Sequence, residues 1–454
     1  MKCLPSLFAA FALAVSHAVA APAALTTPSP EQVAWADAEL GVIFHFDMPT
    51  FVPGYNWRNW GSHPPASAFN PSAVDTDQWI RSAKAMGATY AVLVAKHCSG
   101  FSLWPTKAHA YSVANSPYKG GKGDIVAEFV ASCRKYGLKP GLYASTTANG
   151  YLWVNNPGRV QKGSPITQEA YNKVVETQLT ELWTNYGELF EIWFDGGVLS
   201  RKEGGADVLA LVRKLQPKAI AFQGPHGHPN LVRWVGNEHG TAPYPCWGTA
   251  AEGTRADGTK EVVGGNTGDP KGSLWCPGEA DFPLRHNGSF QGGWFWKAGQ
   301  DDRMFSVPEL MRKYVTSVGR NTNILLGIVV DDRGLVPEAD VRRMEAFGKA
   351  IRERWGTPER TVSGKGRSLE MRFEAPLKVD RVAIQEEIAQ GERILGYEVK
   401  GLVNGQWETL AKGSCVGHKR LEEFAPRAVT ALRLEVTEAK AEPHVRAFSA
   451  YRRQ

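Results

Sequence analysis

Three charged, helix-like segments in the first half of the chain end in glycine and run directly into an apolar stretch. The glycines are Gly87, Gly137 and Gly187. A glycine after a helix provides a left-handed C-cap, and an unbroken apolar run is typical of a strand buried on both faces. Helices that alternate with such strands indicate parallel βαβ units. The pattern predicts eight strands, at residues 40–46, 90–95, 140–144, 190–194, 219–223, 232–235, 293–296 and 324–328.

Eight strands that alternate with helices are the pattern of an α/β fold of the (β/α)8 (TIM) barrel type. The sixth and seventh strands are separated by a stretch rich in Gly and Thr, residues 248–272, that lacks helical periodicity. We therefore expect a distorted barrel with a missing or displaced helix, formed by residues 21–357.

The pattern changes after a helical segment at residues 338–354. From there, short runs of alternating apolar and polar residues are separated by turn sequences such as Asn404-Gly405, which is a hairpin signal. No helical periodicity interrupts these runs. Residues 358–454 are therefore predicted to form a β-sandwich accessory domain.

The first 20 residues have the features of a secretory signal peptide. Lys2 supplies an early positive charge, residues 4–19 are almost wholly apolar, and Ala18-Val19-Ala20 is a small-residue cleavage site. A membrane anchor would need about 20 apolar residues and usually lacks such a site. We expect a secreted or periplasmic protein with no membrane anchor.

Composition narrows the kind of ligand. The chain has 454 residues and a formal net charge of +6, which is too dilute for a nucleic-acid-binding surface. Its 15 Trp residues exceed what core packing requires, and large flat rings commonly line grooves. These counts favour a groove that binds a ligand through aromatic surfaces, and they specify no oligomeric state.

Five cysteines follow the predicted leader, so at least one of them is free. Cys246 and Cys276 lie in the same Gly-rich stretch and are the best candidates for a disulfide in an oxidising compartment. Cys133 lies in a helical pattern and is expected in the core.

The active site of a (β/α)8 barrel lies at the carboxyl ends of the strands. Asp195 follows the fourth predicted strand and precedes two glycines, and Glu238 follows the sixth. Two carboxylates in one site are the equipment of glycoside hydrolysis through a glycosyl-enzyme intermediate. This role requires the two carboxyl pKa values to be split, with that of Asp195 the lower. The other candidate residues at strand ends are His45, Lys96, His97, Cys98, Tyr143, Ser145, Gln223 and either Trp294 or Trp296.

A metal site is one alternative. His45, His97, Cys98 and Asp195 offer N, S and O ligands, but no Cys-x-x-Cys, His-x-His or His-Glu-x-x-His spacing supports a metal. Histidines in a sugar site serve more simply as hydrogen-bond donors and acceptors to ring hydroxyls. We therefore expect neither a metal nor another cofactor. A direct His97–Cys98 nucleophilic pair is disfavoured because adjacent residues on a strand point to opposite faces.

Structural roles are the remaining alternatives. Asp195 could lie in a turn or cap a helix, Glu238 could form an ion pair with Arg233, and the two histidines could be core residues bonded to the backbone. The presence of a second carboxylate at a strand end favours the functional interpretation of Asp195.

Six motifs occur in a fixed order along the chain. They are GVIFHF at 41–46, AKHCSGFSLWP at 95–105, GDIV at 123–126, YGLKPGLY at 136–143, WFDG at 193–196 and SVGRN at 317–321. In these motifs the chain resembles the exo-acting α-L-fucosidases of glycoside hydrolase family 29. The resemblance covers about residues 35–355 and extends weakly to the C-terminal domain.

The resemblance implies roles for individual residues. It implies Asp195 as the nucleophile, Glu238 as the general acid and then base, and His45 and His97 as ligands of fucose hydroxyls. The segment 233–238 further resembles the subfamily that prefers α-1,3- or α-1,4-linked fucose. The implied partner is a fucosylated oligosaccharide or glycoprotein glycan. The predicted substrate-binding residues are His45, His97, Trp60, Cys98, Tyr143, Trp193, Glu279, Arg285 and Trp294.

Two groups of these residues have specific expected roles in substrate binding. The methyl group of the 6-deoxy sugar requires an apolar wall, which Phe44, Trp193, Phe295 or Trp294 could supply. Glu279 and Arg285, with Asp281, would hold a polar acceptor, although structural pairing explains these charged residues equally well.

Two departures from the family pattern bear on specificity. The usual Lys-His-His-Asp-Gly-Phe is Lys-His-Cys98-Ser99-Gly-Phe here, and the usual Glu-Trp-Gly is Asn59-Trp60-Gly61. A thiol is a poor donor and Asn supplies no charged acceptor. Contacts to one or two fucose hydroxyls are therefore expected to be weaker or rerouted. This predicts a special acceptor, such as α-1,3-linked fucose on the core of plant-type or invertebrate N-glycans.

Two other functions stay open at this point. The chain could be a non-catalytic fucose- or glycan-binding protein, for which the altered contacts and the C-terminal domain would be the reasons. It could also be an α-L-galactosidase, because α-L-galactose differs from fucose only by a hydroxyl at carbon six.

Overall fold

The computed structural model describes residues 25–255, 258–286 and 292–452. The predicted signal peptide, residues 1–20, lies outside the described residues. Eight parallel strands form a closed barrel, in the order β1-β8-β7-β6-β5-β4-β3-β2, which confirms the predicted α/β barrel. The strands are β1 (Leu40–His45), β2 (Tyr90–Lys96), β3 (Lys139–Ala144), β4 (Glu191–Trp193), β5 (Ile220–Phe222), β6 (Leu231–Trp234), β7 (Gly278–Pro283) and β8 (Thr322–Val329).

The seventh strand is not the one that the sequence pattern predicted. Gly278 pairs with Arg233 of β6 on one side and with Thr322 of β8 on the other, so β7 closes the barrel. The predicted strand at 293–296 instead begins in a turn. The reason is that β7 contains Glu279, which is buried in the barrel interior. A charged residue interrupts the apolar run by which the other strands were predicted.

Eight α-helices accompany the described strands. Gly87 and Gly137 are left-handed C-caps, with φ of 99° and 76°, as predicted. Gly187 also has a positive φ of 79°, but its helix ends earlier, at Thr184. The α-helices are α1 (Pro30–Ala36), α2 (Met48–Phe51), α3 (Thr76–Met86), α4 (Ile125–Tyr136), α5 (Gln168–Thr184), α6 (Val208–Leu215), α7 (Val307–Thr316) and α8 (Glu338–Trp355). Short 3-10 helices are formed by Ala66–Ala68, Val113–Asn115, Tyr118–Gly121, Arg201–Glu203 and Ile388–Gln390.

No α-helix connects β6 to β7 in the described part of this segment. An antiparallel three-stranded sheet takes its place, with Thr249–Thr254 between Lys260–Val263 and Leu274–Trp275. A second small sheet, formed by Val154–Asn155 and Arg159–Val160, lies in the loop after β3. The Gly- and Thr-rich stretch therefore replaces a barrel helix, in agreement with the predicted distortion.

The C-terminal domain is antiparallel, and its six strands form one hydrogen-bonded sheet in the order β9-β14-β10-β13-β11-β12. Two of the strands, β10 and β13, are 19 and 20 residues long and contain register shifts, which mark bulges that bend a sheet. One hydrophobic cluster, which includes Phe448 and Leu434, forms the core of this domain. An antiparallel sheet domain with its own core therefore follows the barrel. The strands are β9 (Arg360–Lys365), β10 (Ser368–Glu386), β11 (Ile394–Val403), β12 (Gln406–Gly413), β13 (Arg420–Ala439) and β14 (His444–Arg452).

The cysteines of the described chain are all free. Cys246 and Cys276 are both buried, and the disulfide considered for them is not formed. Instead, the Arg233 guanidinium lies between them and donates to the Cys276 carbonyl and to the Cys246 Sγ at 3.4 Å. Cys133 lies in the core, as expected. Within the described residues, no helix is both long and apolar enough to cross a membrane.

Candidate active site

A cavity of about 430 Å³ opens at the carboxyl end of the barrel, and its size is typical of a small-ligand site. It brings together residues from six of the eight strands or from the loops that follow them. Eight of the eleven predicted site residues line it: His45, His97, Cys98, Tyr143, Trp193, Asp195, Glu238 and Trp294.

Asp195 lies just after β4 and is held by hydrogen bonds on several sides. The Tyr143 hydroxyl donates to its Oδ2 at 2.9 Å, and the Thr147 hydroxyl donates to its backbone carbonyl at 2.9 Å. The following amide, that of Gly196, donates to Gln223 at 3.0 Å. Burial raises the pKa of Asp195, while the Tyr143 hydrogen bond lowers it. The expected low pKa is therefore not found, and the net shift has the opposite direction.

Glu238 faces the same cavity from the loop after β6. The indole nitrogen of Trp294 donates to its Oε2 at 3.1 Å. The alternative ion pair with Arg233 is not formed, because the Arg233 side chain contacts Cys246 and Cys276 outside this cavity. The two carboxyl groups of Asp195 and Glu238 thus share one space that can enclose a sugar.

His45 and His97 form part of an aromatic wall. The ring of His45 lies 4.7 Å from that of Trp294, and the ring of His97 lies 5.2 Å from that of Phe295. Burial lowers the pKa of His97 to about 4 and that of His45 well below its ordinary value. Both imidazoles are therefore neutral near pH 7, so each has one donor and one acceptor nitrogen for sugar hydroxyls.

The metal alternative can be examined at one cluster. Ligand atoms of His97, Cys98 and Asp195 lie within 4.8 Å of one another. Burial raises the pKa of the Cys98 thiol to about 12, and the charge of Asp195 adds to this shift. A metal would have to displace that proton, because a cysteine binds metals as a thiolate. As a neutral imidazole, a neutral thiol and a carboxyl group, the cluster suits a polyhydroxylated ligand better.

Comparisons with known proteins agree with this geometry. The α-L-fucosidase family model matches residues 23–354 of the chain. The chain belongs to the α-L-fucosidases. It is 30% identical to the α-L-fucosidase 1 of Arabidopsis thaliana, over 94% of this chain and 88% of that relative. The matched residues comprise the whole barrel, and the enzyme is therefore an α-L-fucosidase glycoside hydrolase.

Solved structures support the assignment over both domains. A glycoside hydrolase 29 family member from an unknown rumen bacterium is 30% identical, with a TM-score of 0.79, over 94% of this chain and 77% of that one. A protein of Bacteroides thetaiotaomicron VPI-5482 is 37% identical, with a TM-score of 0.87, over 95% of this chain and all of that chain. The fucosidase is thus a member of glycoside hydrolase family 29, as the motifs implied.

A carboxyl group that the sequence analysis missed lies beside one of the family departures. Asp47 lines the cavity of the fucosidase and accepts a 2.6 Å hydrogen bond from the hydroxyl of Ser99. Burial raises the pKa of Asp47 to about 6. Ser99, which stands where the family pattern has Asp, is therefore bonded to a carboxyl group from the loop that follows β1. The position of Asp47 two residues after His45 could have been a signal, because alternate residues of a strand share a face.

Asp281 is a further carboxyl group of the cavity. It is buried on β7, and the Trp234 indole donates to its Oδ1 at 2.5 Å. Burial raises the pKa of Asp281 well above its ordinary value, and the charge of Glu238 acts in the same direction. The strand that the sequence pattern missed thus contributes an acid to the fucosidase site.

Glu279 does not contact the cavity, contrary to the prediction of a substrate contact. It is fully buried beneath the floor, where it accepts hydrogen bonds from the Trp193 indole at 2.8 Å and from the Tyr90 hydroxyl at 3.1 Å. Glu191 lies beside it, and burial raises the pKa of both groups, that of Glu279 to about 7. Glu279 therefore supports Trp193 from below.

The predicted substrate contacts of Arg285 and Trp60 are also not found. Arg285 is buried and donates to Asp340 at 2.6 Å and to Asp301 at 2.8 Å. Its positive charge is therefore paired with two carboxylates of the protein. Trp60 packs edge-on against Trp57 at 5.7 Å, and it is Trp57 that lines the cavity of the fucosidase. This loop therefore lines the cavity with Trp57 rather than with Trp60.

Proposed function

We propose that this α-L-fucosidase is an exo-acting, retaining enzyme in which Asp195 is the nucleophile and Glu238 is the acid/base. One observation supports it above all: the two carboxyl groups line the same cavity, each with its own hydrogen-bond donor, Tyr143 for Asp195 and Trp294 for Glu238. The cavity has room for one terminal sugar, and Trp193, which lines it, is supported from below by the buried Glu279.

In the first step, an oxygen of the Asp195 carboxylate attacks the anomeric carbon of the fucosyl residue. The bond to the aglycone oxygen breaks, and Glu238 donates its proton to that oxygen. The product of this step is a fucosyl ester of Asp195 and a free acceptor. The Tyr143 hydroxyl keeps Asp195 oriented for the attack, because it is bonded to Oδ2 in the resting enzyme.

In the second step, Glu238 acts as the base. It removes a proton from water, which attacks the anomeric carbon and releases fucose with the configuration of the substrate. Glu238 regains its proton, and Asp195 is again a carboxylate. The Trp294 indole, which donates to Glu238, holds the carboxyl group in place through both steps.

Recognition of the sugar relies on neutral groups. His45 and His97 are uncharged near pH 7, so they can donate to and accept from adjacent hydroxyls. Phe295, Trp193 and Trp294 line the cavity and provide an apolar surface for the methyl group of fucose. The proposed substrate is a fucosylated oligosaccharide or glycoprotein glycan with α-1,3- or α-1,4-linked fucose, a preference supported by segment 233–238. Export through residues 1–20 would place the enzyme in the periplasm or outside the cell.

Stereochemistry and rescue test this proposal. Proton NMR of an aryl α-L-fucoside during hydrolysis should show α-L-fucose as the first product, and β-L-fucose first would contradict retention. Asp195→Ala should lose activity by more than about a thousandfold, with partial recovery by azide as β-L-fucosyl azide. Full activity of this variant would overturn the assignment. A panel of α-1,2-, α-1,3-, α-1,4- and α-1,6-fucosylated glycans tests the linkage.

A further inference from the structure

The mouth of the cavity has two cationic side chains that the proposed mechanism does not use. Arg58 and Lys297 line the same cavity as Asp195, and both are exposed. Among the described residues, neither of them lies within ion-pair distance of a carboxylate. In the proposed function the neutral fucose lies in the buried part of the cavity, beside His45 and Trp294. These two charges therefore face the part of the substrate that remains outside the fucose pocket.

Arg58 is held in position before any substrate binds. Its guanidinium lies 4.3 Å from the centroid of the Trp57 ring, a cation–π arrangement that restricts the side chain. Its backbone amide donates to the Asn56 side chain at 3.0 Å, which fixes the turn of the loop.

The loop itself is clamped against the barrel. A Cβ on Gly150 would lie 2.6 Å from the Trp57 carbonyl oxygen, so only glycine permits this close approach. The Gly150 amide donates to the Cys98 carbonyl at 2.7 Å. The loop that bears Arg58 is thereby joined to the strand end that forms the fucose pocket. The guanidinium is a fixed part of the site, and its planar donors suit a carboxylate or sulfate group.

We propose that Arg58, assisted by Lys297, is a specificity-determining residue that binds an anionic group on the sugar next to fucose. This inference rests on the proposed function, because it places the scissile bond between Asp195 and the cavity mouth. The ligand chemistry is an oxyanion, which a sulfate ester or a uronate carboxylate can supply. The preferred substrate is accordingly a fucosylated acidic glycan.

The experiment compares three α-L-fucosyl disaccharides with the same linkage, whose acceptor sugar is neutral, sulfated or a uronate. The wild-type enzyme should hydrolyse at least one acidic disaccharide with a kcat/KM about tenfold above the neutral one. The ratio of kcat/KM for the acidic disaccharide to kcat/KM for the neutral one should fall toward one in Arg58→Gln. The same ratio should decrease in Lys297→Gln. It should also fall in the wild type at 0.5 M salt, because exposed charges are screened. The arm with the higher ratio identifies which oxyanion is bound.

Two further variants make the result specific. Arg58→Lys keeps the charge without the planar fork and should retain part of the preference. Lys365→Gln removes an exposed charge in the C-terminal domain and should leave the ratio unchanged. A wild-type ratio of one overturns the inference, as does a ratio that Arg58→Gln leaves intact. An equal loss with neutral and acidic substrates would overturn it as well, since it would show that Arg58 only balances the carboxylates of the cavity.

The neutral aryl fucoside separates this inference from the proposed function. If neither the aryl fucoside nor any of the three disaccharides is hydrolysed, the proposed function fails, and calorimetry with the three disaccharides still measures the anion preference. Tighter binding of an acidic disaccharide that Arg58→Gln removes would support the inference, and equal binding of all three would overturn it.

Discussion

The Tyr143 hydroxyl donates a 2.9 Å hydrogen bond to Oδ2 of Asp195. This contact joins the end of β3 to the loop after β4, and it opposes the effect of burial on the Asp195 pKa. A nucleophile that is partly withdrawn from water depends on such a donor to stay ionised.

Tyr143→Phe should therefore raise the Asp195 pKa further. The carboxylate is the reactive form, so the acid limb of the kcat/KM profile should move to higher pH, by up to about one unit. The loss of activity should therefore be larger at pH 5 than at pH 8. The measurement is a pH profile with an aryl fucoside. Tyr136→Phe, at the end of α4, is the matched control, and an unchanged acid limb in Tyr143→Phe would contradict the assignment.

The indole of Trp294 should matter most where protonation of the leaving group matters. Trp294→Phe removes the donor to Glu238, and we expect about a tenfold loss of kcat/KM for an unactivated fucosyl glycan. A nitrophenyl fucoside, whose leaving group departs with little help from an acid, should lose less. Trp60→Phe, outside the described cavity lining, serves as the control. Equal losses with both substrates would argue against a role of Trp294 in acid catalysis.

Glu191 and Glu279 should make the free energy of unfolding decrease as the pH rises. Burial raises both pKa values, that of Glu279 to about 7, whereas unfolded Glu ionises near 4.3. The folded protein therefore keeps protons that the unfolded chain releases. The stabilisation is complete below about pH 4 and is lost as the pH rises through about 7. For a carboxyl shifted this far, the loss is on the order of 3 kcal/mol.

Urea unfolding at pH 5 and pH 8 measures this decrease. Glu191→Gln cannot lose a proton and should show a smaller decrease between the two pH values than the wild type, even if its stability at pH 5 is lower. Glu169→Gln, an exposed substitution in the first turn of α5, should keep the wild-type decrease. A Glu191→Gln variant with the full decrease would show that the buried pair is not its source.

Cys98 should be unreactive despite its place in the cavity. Burial raises the pKa of its thiol to about 12, so only a very small fraction is thiolate at pH 8. Alkylation by iodoacetamide should be at least about tenfold slower than that of free cysteine. Mass spectrometry of the peptide that contains Cys98 follows the reaction, with Cys98→Ser as the blank. Rapid alkylation would show that the thiol is ionised and would reopen the metal interpretation.

Much of the fold could be predicted because its strands are apolar and its helices end in glycine. Gly87 and Gly137 marked the start of two barrel strands through the left-handed conformation that they adopt. The seventh strand was missed because its buried residues include Glu279 and Asp281. These groups are tolerated inside the barrel because Trp193 and Trp234 donate to them. Such a partnership between distant residues leaves no local pattern in the sequence.

Site residues could be predicted correctly where the end of a barrel strand determines their position. Asp195 and Glu238 belong to this class, because each lies within a few residues of the carboxyl end of a barrel strand. Arg58 was missed, since the approach of its loop to the cavity depends on the fit of that loop against Gly150. Arg285 was misplaced because its partner Asp340 lies on α8, 55 residues away. Residues on long loops are positioned by tertiary contacts, and spacing along the chain does not encode these contacts.

The central claim is that Asp195 carries the fucosyl group between the two steps. A 2-deoxy-2-fluoro-fucosyl fluoride slows the second step, so the ester should accumulate and can be located by mass spectrometry of a protease digest. The account predicts one label per chain, on Asp195, which turns over slowly in the presence of an acceptor sugar. A label on Glu238, Asp47 or Asp281, or an inactivated enzyme without a covalent label, would contradict it.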